Sequence, residues 1–124
     1  MIEILREKFL AHYYQIALVD HEDPEAYPEW ETGEEPAIAS SKGIVVATPI
    51  DGYVETIIMN GEGTVHGVEV FSGTIEVGQA GLCVGNEVSA SYQVIPWPAG
   101  KTNVIAYLIS GVENETSVVF ILNS

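Results

Sequence analysis

The chain has 124 residues, with eighteen Asp and Glu against four Lys and Arg, for a formal net charge of −14. That length fits one domain with a proper hydrophobic core, and an apolar content of 47% rules out a globally disordered polyanion. So negative a surface repels phosphate backbones and anionic lipid, which leaves basic proteins and cations as the natural partners and excludes nucleic acid and membrane as direct ones.

The first segment, "MIEILREKFL", reads two ways. Ile2, Leu5 and Phe9 would share one face of a short N-terminal helix; a frayed terminus is the other reading. The segment lacks the charged-then-apolar order of a signal peptide. No apolar run approaches the roughly 20 residues that span a bilayer, so the expectation is a soluble, cytoplasmic protein. "HYYQIALVD" follows as a strand, with Tyr14, Ile16 and Leu18 on one face and Tyr13, Gln15, Ala17 and Val19 on the other.

Residues 20–42 form an acidic loop with Pro24, Pro28 and Pro36 and no sustained period. Half of "DHEDPEAYPEWETGEE", Asp20 to Glu35, is acid, and no Lys or Arg interrupts it. Tyr27, Trp30 and Ile38 argue against full disorder, because they would pin the loop onto the core.

Strands resume at "GIVVATPI". Asp51–Gly52 is a hairpin signal, since both residues tolerate positive φ, and "YVETIIMN" runs back from it. "NGEG" at Asn60 to Gly63 is a further turn, leading to "TVHGVEVF". Ser72–Gly73 separates that strand from "TIEVG". "LCV", "VSASYQVI", "TNVIAYLI" and "SVVFILN" complete the chain. The last two runs are apolar on both faces, as central strands are. Gly78, Gly81 and Gly85 mark a bend or bulge. Eight to ten short strands with regular turn signals point to an all-β antiparallel sandwich or barrel in one domain, of which the β-sandwich is the expectation.

The chemistry-bearing residues do not converge on an active site. His12, His21 and His66 lie on three separate elements. "DHED" around His21 lacks the glycine and terminal Glu of an EF-hand loop, so a solvated turn is favoured over a divalent site. Cys83, the one cysteine, sits in "GLCVG" and reads as a buried, inert thiol. It cannot form an internal disulfide, which fits a reducing compartment. Asn114 begins a chance glycosylation sequon. "GEG" and "GQAG" lack the lysine and helix of a phosphate cradle, and there is no nucleophile elbow. The expectation is a non-enzyme with no catalytic residue, resident metal or cofactor. Trp97, stiffened by Pro96 and Pro98, covers one end of the sandwich or faces a ligand.

The acidic loop is the strongest feature. Its charge is uncompensated and interleaved with Tyr27 and Trp30, residue types that anchor interfaces. It would speed capture of a basic protein by steering. The expected partner-facing residues are Asp20, Glu22, Asp23, Glu25, Tyr27, Glu29, Trp30, Glu31, Glu34 and Glu35.

The order of features adds a resemblance. "YYQIALVD" precedes the acidic "EAYPEWETGEE", then comes the glycine-led pair "KGIVVATPIDGYVETII", and late in the chain "SYQVIPWPAGKTNVIAYLI". This layout, over about residues 13–110, resembles the competence protein J-like family of small bacterial nuclease inhibitors, and also small immunity-protein-like β-sandwiches. The residues after Trp30 depart from the family's pattern, so only Trp30 and its neighbouring acids carry over as a partner-facing patch. The resemblance implies a β-sandwich that blocks a basic nuclease or toxin by protein–protein contact.

The combined reading is a small acidic interaction module acting by polyanion mimicry. The competing reading is a small-molecule or carbohydrate-binding sandwich with Trp97, Trp30 or Tyr92 as a stacking platform. Open sheet edges also leave room for a homo-oligomer.

Overall fold

The computed structural model describes residues 1–23, 27–111 and 115–124. Pro24, Glu25 and Asn114, named above, lie outside the described residues. The described residues form ten strands: β1 Ile2–Leu10, β2 Gln15–Asp20, β3 Ala37–Ser40, β4 Gly43–Ala47, β5 Tyr53–Asn60, β6 Val68–Val77, β7 Leu82–Asn86, β8 Ser91–Ile95, β9 Gly100–Ser110 and β10 Thr116–Asn123. They form two five-stranded sheets, ordered β1-β5-β10-β9-β6 (sheet A) and β3-β4-β2-β7-β8 (sheet B). The predicted all-β sandwich is the observed fold. One neighbouring pair, β5 with β10, is parallel; the other pairings are antiparallel.

Period-2 alternation builds the core between the sheets. Val54 and Ile58 of β5, Val104 and Ala106 of β9, and Val118, Phe120 and Leu122 of β10 point inward from sheet A. Ile16 and Leu18 of β2, Ile44 and Val46 of β4, and Leu82 and Val84 of β7 meet them from sheet B. The central strands are also apolar on their outer faces. Ala17, Val19, Val45 and Cys83 lie beneath Tyr27, Trp30 and Ile38. Ile57, Tyr107, Val119 and Ile121 pack with Met59, Val65, Ile105 and Ile109.

Several local expectations give way to long-range pairing. The N-terminal segment is a strand, not a helix. Its apolar spacing suits a helix, but the edge of β5 is free to pair along 53–60, and Phe9 is buried against the core in the strand geometry. Arg6 then ties β1 to its neighbour by bonding Glu55 at 2.8 Å as well as Glu3 at 2.6 Å. Asp51–Gly52 turns the chain without making a hairpin, because β4 and β5 belong to different sheets. Asn60 to Gly63 likewise leads to β6, which pairs β9 and not β5. Ser72–Gly73 is no break; β6 runs through it unturned. Tyr13 and Tyr14 lie outside β2, in a turn with positive φ at both residues.

The bend expected near the clustered glycines is present. Gly85 has φ +125°, and a Cβ there would sit 2.4 Å from the Ser91 carbonyl oxygen. The β7–β8 hairpin can close only with glycine at this position.

Candidate functional site

The register of β2 divides the acidic stretch between the two ends of the sandwich. At one end Asp20 pairs with Leu82, and its N–H donates to the Lys42 carbonyl at 2.8 Å. At the other, Trp30 Nε1 donates to Gln15 Oε1 at 3.1 Å, and Ala47 N–H donates to the Pro36 carbonyl at 3.0 Å. Between those ends, Tyr27 and Trp30 lie over the outer face of sheet B. Those ends lie about 17 Å apart, five steps of about 3.3 Å.

The acids at the first end serve the fold. Asp20 is buried and accepts from the Gly78 N–H at 3.1 Å. Glu22 is exposed and packs its carboxylate against Gly78. Asp23 accepts from Lys42 Nζ at 3.0 Å, so a base from outside the run compensates it. That ion pair holds the lysine's pKa above its ordinary value. Among the described residues no group of three or more His, Cys, Asp or Glu could hold a metal ion.

The acids at the second end are presented differently. Glu29, Glu31 and Glu34 are exposed. Glu35 turns back and accepts from the Thr32 N–H at 2.7 Å and from the Thr32 hydroxyl. Those bonds hold its carboxyl below the usual carboxylate range. Because the folded pKa is depressed, this cap acts above the unfolded carboxylate pKa and is lost as pH falls through the folded one. The Thr32 amide is therefore expected to lose hydrogen-exchange protection in that acidic window while β10 amides keep theirs. Protection of Thr32 unchanged across the window would refute the cap.

Tyr27 and Trp30 face the sheet. Both are half-buried over Ala17, Val19, Val45 and Cys83, so their rings fasten the loop. Burial, followed by the charge of Glu87, pushes the Tyr27 phenol well above its ordinary pKa. The Cys83 thiol donates to Glu87 Oε1 at 3.4 Å; burial first and then Glu87 push its pKa up to about 12. It is a thiol at neutral pH and a poor nucleophile. A pocket of about 200 Å³ lined by Gln15, Tyr27, Asn86, Glu87 and Val88 opens beside this group. Of the expected stacking residues, Trp97 is half-buried and donates its indole N–H to Thr102 Oγ1 at 2.7 Å, while Tyr92 is exposed on β8.

Three loops are woven together at the end that carries Glu29 to Glu34. Ala11 N–H donates to the Gly52 carbonyl at 2.7 Å and Thr48 N–H to the Tyr14 carbonyl at 2.8 Å. Asn86, itself buried, donates through Nδ2 to the carbonyls of His12 at 2.7 Å and Gln15 at 2.9 Å. Ser89 Oγ donates to the Leu10 carbonyl at 2.8 Å. Together these bonds hold the 11–14 turn rigidly, with Tyr13 at φ 58° and Tyr14 at φ 59°. A left-handed conformation costs a non-glycine residue roughly 1–2 kcal/mol, and here two stand in a row. Sequence reasoning missed this turn: without Gly, Asn or Pro, "HYYQ" shows no turn signal.

No family model matches the chain, and no curated protein matches it. Among solved structures, the chain is similar to ComJ, the inhibitor of the DNA-degrading activity of NucA, from Bacillus subtilis. The superposition has a TM-score of 0.81 and covers 100% of this chain and 98% of ComJ at 13% identity. The fold is thus ComJ-like from end to end, where the sequence resemblance implied it over about residues 13–110.

Proposed function

We propose that this protein is an inhibitor that blocks a basic DNA-degrading nuclease by protein–protein contact, with no catalysis of its own. The observation that carries the reading is the full-length likeness of fold to a nuclease inhibitor. The net charge of −14 supports it. A nuclease groove that holds a polyanion attracts a polyanionic protein, and carboxylates presented on rigid elements can occupy the positions of phosphates. The two ends of the acidic stretch are unequal in this role. Glu29, Glu31 and Glu34 are exposed and available to a partner, with Glu22 a further exposed carboxylate at the far end, whereas Asp20, Asp23 and Glu35 are engaged within the fold. Tyr27 and Trp30 shape the surface by fastening its loop. A reducing compartment such as the cytoplasm suits the single buried thiol.

The test is affinity capture from native cells at low and high salt, followed by a DNA-degradation assay on what is captured. A basic nuclease should bind at low salt, be released at high salt, and stop degrading DNA when this protein is added in excess. Capture of proteins without nuclease activity, or undiminished degradation, would overturn the reading. Replacing Glu29, Glu31 and Glu34 together by Gln should leave the melting temperature unchanged. It should also weaken inhibition by about tenfold, from three exposed charges at roughly 0.5 kcal/mol each, mainly through slower association. Unaltered inhibition would remove these residues from the interface.

A further inference from the structure

The end of the sandwich that presents Glu29, Glu31 and Glu34 also presents the most exposed aromatic rings among the described residues. Tyr13, Tyr14 and Tyr53 are 66%, 54% and 67% exposed. Tyr53 stands near the turn because Leu10, which leads into it, pairs with Tyr53 at the start of β5; its side chain borders a hollow lined by Lys8, Glu55 and Glu115. The β1–β2 turn and the Asp51–Gly52 corner are joined by the Ala11–Gly52 hydrogen bond. Val88, 60% exposed, belongs to the third loop of the same weave.

A chain that needed only to reverse direction here would place Asn or Gly at both left-handed positions. Two tyrosines stand there instead; Tyr13 leans on the His12 ring at 4.4 Å between centroids, and both tyrosines are still more than half exposed. Rings this exposed bring little burial to offset the backbone cost. The rings become useful once something covers them. Tyrosine is among the residues that dominate interface energy, because it brings a large, stiff contact area at little entropic cost.

Charge selects the occupant. Asp51 borders the turn, its Oδ1 3.6 Å from His12 Nδ1. Glu87 flanks the same end, and the chain as a whole carries −14; Glu55, beside Tyr53, is already paired with Arg6 at 2.8 Å and is not counted. A guanidinium group fits such a surface better than any other side chain. It stacks on the tyrosine face by cation–π attraction and donates in fork geometry to a neighbouring carboxylate. We infer that the Tyr13–Tyr14 turn, with Tyr53 beside it, is the docking face for an arginine-rich surface of a protein partner. This rests on the reading that the partner is basic, and not on its being a nuclease.

Two measurements on the purified protein test it. The first is thermal unfolding of the double variant Tyr13→Asn/Tyr14→Gly. Relief of two left-handed tyrosines should raise the melting temperature by about 3–6 °C. A fall would mean that the rings support the fold, and would overturn the inference. The second is titration with nona-arginine followed by amide chemical shifts. The shifts should concentrate on Tyr13, Tyr14, Asp51, Tyr53 and Glu87, and binding should weaken about fivefold in the double variant and in Tyr53→Ser. Shifts centred on Glu22 and Asp23 at the far end, no binding, or binding unaltered by both variants would each overturn it. Failure to suppress DNA degradation in the assay above would remove the nuclease reading and leave this surface standing.

Discussion

Phe120→Ala is expected to cost about 3–5 kcal/mol, the range for a fully buried phenylalanine that leaves a cavity. Phe120 is fully buried and sits on β10, the central strand of sheet A. It pairs with Ile58 of β5 on one side and Ala106 of β9 on the other, both inward-facing. Its ring therefore fills the space between the two sheets at the middle of the layer, where neighbours are held by ladders on both flanks and cannot collapse into the void. Against a total stability of about 5–15 kcal/mol for a domain, that loss leaves a marginal protein. Urea unfolding should show the midpoint fall with an unchanged slope. Phe120→Leu, which retains most of the apolar volume, should recover more than half of the loss. A loss below about 1 kcal/mol for the alanine variant would be incompatible with a ring packed between the sheets.

Asn86→Ala is expected to cost about 2–4 kcal/mol, and to act on the candidate docking end more than on the sandwich. The side chain donates to the His12 and Gln15 carbonyls and accepts from the Ser89 N–H at 3.1 Å. Alanine leaves these backbone groups without that partner where water has poor access, and each unsatisfied group costs about 1–3 kcal/mol, less than additively. Hydrogen exchange locates the effect. Amides of residues 11–15 and 86–90 should lose protection first, while β10 amides exchange only with global unfolding. Uniform loss across both sheets would show that Asn86 supports the whole core and not the loop weave. Since the same carbonyls hold the Tyr13–Tyr14 turn, Asn86→Ala should also weaken arginine-peptide binding without touching an exposed residue.

Much of the fold was legible from local pattern. β2, β4, β5, β9 and β10 announce themselves as Val- and Ile-rich runs, and the double-sided apolar character of β9 and β10 marks them as interior strands. Tyr27 and Trp30 in the acidic loop were legible as pins, because large aromatics in a polar stretch need apolar surface to cover. β1 was not legible as a strand. Its apolar spacing satisfies a helix, and only the free edge of β5 selects the extended form. Turn chemistry at Asp51–Gly52 and Asn60 to Gly63 says that the chain reverses, not which sheet it then enters, since that depends on which distant edge remains unpaired.

For the candidate site, composition and order alone determined the charge excess, the all-β class and the location of an acidic, aromatic-pinned loop. These follow from residue counts and local periodicity, which require no knowledge of what lies nearby in space. The tertiary structure decided where the charges act. The two ends of the acidic stretch meet opposite ends of β2, so that Asp20 and Asp23 are spent on Gly78 and Lys42 while Glu29, Glu31 and Glu34 reach solvent at the end where Trp30 bonds Gln15. Neutralisation and hydrogen bonding act over a few ångströms, and strand pairing, not distance along the chain, sets which groups come that close.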